Sequence, residues 1–460
     1  MAKTTLSPPV APDSDWPSPA VAWYTVGVLF IAYTVAIADR FILSLLIEPI
    51  KIDLGLSDTE VSLLHGLAFA IFFSIMGVPI ARLADRFSRR MVIASGITAW
   101  SVMTAACGVA TGYWQLFAAR VGVGVGEAAL SPPAFSMVAD LFPPYKLGRA
   151  LSVYTTGAYI GAGLVFIIGG LVLQTTMSTP EVTLPVIGVV RSWQVAFFMV
   201  GLPGLFVALL MFTVKEPVRR MRANAAMSGD AREAIPLRKV YQYMRARWPI
   251  YGTHILGFSF LAVVFNSVIA WTPAFLTRSF DMGVGQTGPA VGTLVLVFGT
   301  SGILVGGWLA DRLVLKGYTD GAMRVGVIAG LGCIPFALLT LFVSSVTWIL
   351  ALYGPLLFFS SFGFGAAAAA LQQVTPNRLR ALVSSIYLFV LNLIALGMGP
   401  TITALITDYV FGNDGAVGLS IATVAIVSGL LSSMILASGL KSFRAEAADQ
   451  AINRILAPRT

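Results

Sequence analysis

A chain of 460 residues that is 57% hydrophobic and only 11% charged lacks the polar surface that a water-soluble protein of that size needs. Such a composition defines an integral membrane protein, and the net charge of +9, which in a soluble chain would suggest nucleic acid, becomes a statement about orientation in the bilayer. The two cysteines, Cys107 and Cys333, lie inside apolar runs and exclude a disulfide framework, while His65 and His254 alone argue against a histidine-built metal site.

No cleavable leader pattern opens the chain. Residues 1–20, rich in Pro and Ser, read as a disordered tail, with the first span as insertion signal. Counted against the ~20 residues that a helix needs to cross ~30 Å of hydrocarbon, the apolar runs number twelve. In the first half they are Val21–Ile47, Val61–Ala84, Met91–Ala110, Tyr113–Ala139, Ala150–Gln174 and Gln194–Val214. In the second they are Ile250–Leu276, Pro289–Leu309, Val325–Val343, Trp348–Leu371, Ala381–Thr407 and Ala416–Leu440. Spans three and four are so close in sequence that they must form a hairpin.

The charged stretch between the halves divides the chain into a bundle over 21–214, a linker over 215–249, a second bundle over 250–440 and a tail over 441–460. The linker's basic residues read as a solvated loop, and the tail has weak helical periodicity that suits a position along the membrane surface. Lysines and arginines outside the spans gather in the tails and in loops after even-numbered spans, against only Lys51, Arg191 and Arg278 in the opposite loops. Both termini are therefore expected in the cytoplasm of a multi-pass cell-membrane protein, with a bacterial inner membrane as the expected setting.

The halves repeat each other. Leu83–Arg86 and Leu309–Arg312 both read LADR, six spans apart, and Pro144, Arg149, Ala150 and Ser152 recur as Pro376, Arg380, Ala381 and Ser384. Because six is even, the two halves enter the membrane alike and are related by an axis along its normal. The expected fold is all-α and polytopic, twelve transmembrane helices in two pseudo-symmetric six-helix bundles. Two six-span halves, a central basic linker and LADR loops at matching positions resemble the major facilitator superfamily over essentially the whole chain. That family's loop reads roughly G-x-L-A-D-R-x-G-R-R; here Ala81 and Ser88 replace its glycines, and the second copy keeps Gly307 but loses the double arginine. The resemblance implies alternating access and a cytoplasmic gate at Asp85, Arg86, Arg89, Arg149, Asp311 and Arg312, with both acids capping helix N-termini when that side is closed. RVGVGVGEA (Arg120–Ala128) resembles the fourth span of proton-linked members. With ADRFILSLL (Ala38–Leu46), DRFSRR (Asp85–Arg90) and ADLF (Ala139–Phe142) it is most similar to the spinster branch, associated with proton-linked movement of lysophospholipids and sphingolipid phosphates.

The charges well inside the spans are Asp39 and Arg40 in the first and Arg120 and Glu127 in the fourth. An ionised side chain at mid-bilayer costs about 2.5 to 3.5 kcal/mol on insertion scales, so four in one half need a reason. Arg120, Gly124 and Glu127 stand at i, i+4 and i+7, which stacks both charges on one helix face. Asp39 and Arg40 point ~100° apart and must find partners on other helices; the inferred pairs are Arg40 with Glu127 and Asp39 with Arg120. Since the superfamily's first, fourth, seventh and tenth spans line the central cavity, the resemblance implies that all four face a shared aqueous path. Asp39 and Glu127 are then proton sites, and Arg40 and Arg120 pair with them or with a substrate headgroup. The second half offers Phe258, Phe260, Phe265, Trp271, Phe358, Phe359 and Phe362, with Asn266 and Asn392 as isolated polar groups; Asn266, Trp271, Phe265 and Asn392 are its expected cavity lining. His65 and His254 read as surface or packing residues. GVGVGEA follows no strand, so a nucleotide loop is rejected, and the fifth span's glycine-rich run lacks the proline of the antiporter motif.

Together these readings describe a proton-coupled secondary transporter of an anionic amphiphile, acting as a monomer without cofactor or metal and driven by the proton gradient. Alternatives are a drug exporter, a small organic anion transporter, or a membrane receptor or scaffold that kept the fold.

Overall fold

In the computed structural model the described residues are 16–176, 181–185, 188–219, 236–376 and 379–456. The tail expected over 1–20 lies mostly outside them, as do the middle of the linker and the last four residues.

Eleven unbroken helices are long and apolar enough to cross a membrane, and an interrupted one completes the twelve. Spans one to six are Pro19–Leu45, Asp58–Arg86, Arg89–Cys107, the pair Tyr113–Glu127 and Ser131–Leu141, Pro144–Thr176, and Ser192–Met211. Spans seven to twelve are Trp248–Phe280, Val284–Leu315, Gly321–Phe342, Val346–Val374, Leu382–Phe411 and Val417–Leu456. Most outrun the apolar runs because the helical pattern continues into polar flanks. Where one unbroken fourth span was expected, the helix stops after Glu127 and restarts at Ser131. Pro132 and Pro133 supply the reason: neither has an N–H to donate to the carbonyls a turn earlier, and Pro rings crowd those carbonyls.

Packing follows the internal repeat. Span one lies along five and six, three along four and six, and two along four; seven along eleven and twelve, nine along ten and twelve, and eight along ten repeat each of these at an offset of six. The halves touch through the symmetry-related pairs five with eight and two with eleven, and through one with seven. Spans two, eight and eleven each contain a π-helical turn, at Leu63–Leu67, Val295–Gly299 and Leu393–Met398, and span eleven has another at Ile406–Phe411.

Between spans five and six, Glu181–Leu184 and Gly188–Arg191 pair as a short antiparallel hairpin on the face opposite the termini. In the linker, the helix Leu237–Ala246 turns Val240 and Met244, one turn apart, into the protein and leaves its basic residues outside. Span twelve runs on through the expected tail as one helix to Leu456. No proline interrupts it, Phe443 is buried, and Arg444 donates to Asp320 at 2.8 Å. Asp320, just before span nine, also accepts from Arg324 at 3.0 Å. Burial opposes the charge on Asp320, but Arg444 and Arg324 outweigh it and hold its carboxyl below the usual carboxylate range. A carboxylate depressed in the folded state stabilises above its unfolded pKa and loses that contribution as pH falls. Asp320→Asn is therefore expected to lower the melting midpoint at pH 7, with the deficit holding down to about pH 4 and shrinking only as the pH falls further.

Candidate functional site

Glycines bring the fourth span within reach of its neighbours. A Cβ at Gly124 would stand 2.6 Å from the Phe69 carbonyl oxygen of span two, and one at Gly126 would stand 2.6 Å from the Trp100 backbone nitrogen of span three. Only glycine lets both backbones approach so closely, and this approach sets Arg120 and Glu127 against span one.

Both inferred pairs meet. Arg40 Nη2 donates to Glu127 Oε2 at 2.6 Å, a charge-assisted hydrogen bond. Arg120 Nη1 faces Asp39 Oδ1 at 3.8 Å, an ion pair without a hydrogen bond. Thr104 Oγ1 of span three donates to Asp39 Oδ2, and Arg120 Nε donates to the Leu64 carbonyl at 3.4 Å. The Arg40 guanidinium lies over the Phe69 and Phe73 rings, 4.5 and 5.0 Å from their centroids. The cluster is charge-balanced yet short of hydrogen bonds: Asp39 Oδ1, Arg120 Nη1 and Nη2, Glu127 Oε1 and Arg40 Nε are buried without one.

The shared aqueous path is not seen. Asp39, Arg120 and Glu127 are 1%, 0% and 2% exposed, and only the Arg40 side chain, at 12%, keeps surface. The physical reason is a lid: Arg40 lies across Glu127 with Phe69 and Phe73 against it, and Thr104 closes the Asp39 side. Sequence reasoning missed Thr104, Phe69 and Phe73, whose residue types alone mark nothing in a membrane span.

The second half contributes less polar surface than expected. Trp271 is buried with its indole N–H on the Pro400 carbonyl at 2.9 Å, so it is a packing residue with nothing to give a cavity. Asn266 commits one of its two amide N–H groups to the Ala262 carbonyl of its own helix at 2.9 Å, and Asn392 is partly exposed. Phe265 meets Tyr159 of span five edge to face, with centroids 6.3 Å apart. His254 is buried against the Ala367 carbonyl at 2.8 Å, and His65 shares a hydrogen bond with Ser44 at 2.9 Å.

Of the expected gate residues, Asp85, Arg86, Arg149, Asp311 and Arg312 are exposed on the face bearing the termini. Arg89 is buried instead, and it bonds Asp140 at 2.5 Å, Ser136 at 2.8 Å, Glu216 at 2.9 Å and the Pro217 carbonyl at 2.8 Å. Burial opposes charge on Glu216, but the Arg90 backbone N–H, Arg89 and Ser88 outweigh it and hold the carboxyl below its usual range. Arg219 caps the end of span two by donating to the carbonyls of Ala84, Asp85 and Phe87. Among the described residues, the second LADR copy, without the double arginine, builds no such clamp from its own loop, and Asp320 ties that half together.

The opposite face carries a latch between halves. Arg278 of span seven bonds Glu48 at 2.7 Å and Asp58 at 2.6 and 2.7 Å. Lys51 bonds Asp58 at 2.7 Å and, across the interface, Asp414 at 2.6 Å. Thr59 donates its backbone N–H and hydroxyl to Asp408 at 2.7 and 2.6 Å. The loss of water around Lys51 works against its charge, but Asp414 and Asp58 raise its pKa above the ordinary value. One signal was available: Lys51, Arg191 and Arg278, the few basic residues of that face, all end in ion pairs, Arg191 with Asp53.

Two six-helix bundles around a buried charge cluster define a membrane transporter of the twelve-span class. Residues 29–400 match the Major Facilitator Superfamily, and the chain belongs to that family of transporters, which are not enzymes. Among relatives, an "MFS-type efflux pump" of Mycolicibacterium smegmatis is 29% identical over 91% of this chain and 92% of its own length. A "probable L-galactonate transporter" of Escherichia coli is 27% identical over 83% and 82%, and mouse "protein spinster homolog 1" is 27% identical over 80% and 70%. Among solved structures, a bacterial homologue of the human lysosomal transporter spinster, in an inward-facing and unoccupied conformation, superposes with a TM-score of 0.74 at 23% identity, covering 95% of this chain and 99% of that one. The D-xylose–proton symporter follows at a TM-score of 0.63 and 15% identity, over 89% and 97%.

Proposed function

We propose that this chain is a proton-coupled secondary transporter of an anionic amphiphile, a lysophospholipid or sphingoid phosphate, working by alternating access in the cell membrane with both termini in the cytoplasm. The observation that carries this reading is the buried, charge-balanced quartet in which Arg40 alone keeps surface. An anionic headgroup reaching Arg40 competes with Glu127 for the same guanidinium, and a carboxylate displaced from it stays buried only if it takes up a proton. Proton and substrate occupancy are thereby linked at one side chain. On this reading the latched face is the outer one, and the state described opens toward the cytoplasm, where the gate residues other than Arg89 are exposed. Asp85 and Asp311 cap neighbouring helix N-termini when that side closes.

The second half supports an amphiphile over a polyhydroxylated sugar acid. Hydroxyl groups need several free polar partners, whereas Asn266 already commits one of its two amide N–H donors to its own helix and the aromatic residues offer an acyl chain apolar contact. A second reading, transport of a small organic anion, is favoured by the relative named as a probable L-galactonate transporter. Proteoliposomes under an imposed pH gradient are expected to move lysophosphatidate or sphingosine phosphate at least tenfold faster than galactonate. The reverse order would replace the amphiphile with the sugar acid.

A further inference from the structure

One segment touches both the charge cluster and the contact between halves. In the π turn Leu63–Leu67 of span two, the Leu64 carbonyl accepts from Arg120 Nε at 3.4 Å. The next residue, His65, shares a hydrogen bond with Ser44 of span one at 2.9 Å, and its other ring nitrogen is buried without a partner. The next, Gly66, lies so close to span eleven that a Cβ there would stand 2.6 Å from the Leu396 carbonyl oxygen and 3.0 Å from that of Gly397. Leu396 and Gly397 belong to a π turn themselves, Leu393–Met398. Two π turns from different halves thus meet backbone to backbone.

A π turn holds one residue more than an α turn, and passing that residue along the helix rotates the segment between by roughly 100°. While Arg120 and Ser44 hold the turn, Gly66 faces span eleven. Once the holds release, rotation replaces Gly66 with a residue carrying a side chain, at a contact where even a Cβ does not fit.

We propose that the π turn Leu63–Leu67 transmits the state of the Asp39–Arg120 pair to the seal between the halves, with Arg120 Nε and His65 as its holds and Gly66 as its contact. This rests on reading the quartet as the seat of coupling. Arg120, His65 and Gly66 are positioning residues in this scheme, acting through span two without touching substrate.

The test is a distance measurement on the full chain in lipid nanodiscs, with Cys107 and Cys333 replaced by serine. Spin labels go on Ile52→Cys and Tyr409→Cys, exposed positions on the latched face in different halves. The parent is expected to give mainly a short distance. Gly66→Ala moves most of the population to a longer one, while Gly27→Ala, where a Cβ meets nothing within 4 Å, does not. Ser44→Ala, a milder change, shifts the population in the same direction. Asp39→Asn changes the distribution in the parent and has no further effect on top of Gly66→Ala. The proposal is overturned if Gly66→Ala and Ser44→Ala both keep the parent distribution, if Asp39→Asn leaves the parent unmoved, or if its shift is the same with and without Gly66→Ala. The measurement uses neither substrate nor gradient, so absent proton-driven flux would overturn the transport reading and leave this result standing.

Discussion

Arg120→Ala is expected to destabilise the folded protein by about 3–5 kcal/mol, and Arg120→Met combined with Asp39→Asn is expected to recover most of that loss. Asp39 and Arg120 are both sealed from water, and their 3.8 Å separation gives attraction without a direct hydrogen bond. Removing the cation alone leaves Asp39 as an uncompensated buried charge, with the Thr104 hydroxyl as its one hydrogen-bond donor among the described residues. Removing both charges leaves neutral side chains of similar volume, which buried sites tolerate well. Unfolding midpoints in mixed detergent micelles read the difference. A double variant as unstable as the single one would mean that Arg120 is kept for its shape and its hold on Leu64, not for its charge.

Much of this arrangement was legible in the sequence because it rests on helical phase. The i, i+4, i+7 spacing of Arg120, Gly124 and Glu127, together with the divergent directions of Asp39 and Arg40, leads to the two pairs that form. The LADR repeat likewise leads to the six-plus-six fold. The break in the fourth span was written in Pro132 and Pro133 but hidden by a hydropathy count that ignores lost donors. The seal over Asp39 and Glu127 was not legible, because it depends on how Phe69, Phe73 and Thr104 from two other spans lean on span one. Nor was the latch of Lys51, Asp58, Arg278, Asp408 and Asp414, whose members lie far apart in sequence, in short loops and at span ends. Periodicity has nothing to say about such places.

The second large effect concerns coupling. Glu127 is the carboxylate that Arg40 holds at 2.6 Å, so Glu127→Gln removes both a proton acceptor and the competitor of an anionic substrate. Arg40 then keeps its charge without a counter-ion, and a headgroup binding there no longer releases a titratable group. Binding and downhill exchange are expected to survive while gradient-driven accumulation disappears. Asp39→Asn is expected to weaken the drive as well, since it unbalances Arg120 beside the same cluster.

The most direct test is therefore accumulation of a lysophospholipid in proteoliposomes under a pH gradient, at zero membrane potential. Each pH unit supplies about 1.36 kcal/mol per proton, or roughly tenfold accumulation for one proton per substrate. The wild-type chain is predicted to reach such a ratio and to change it with the gradient, and Glu127→Gln to equilibrate at a ratio of about one whatever the gradient. Accumulation by Glu127→Gln and Asp39→Asn with the same pH dependence as the wild type would contradict the assignment of coupling to the buried quartet.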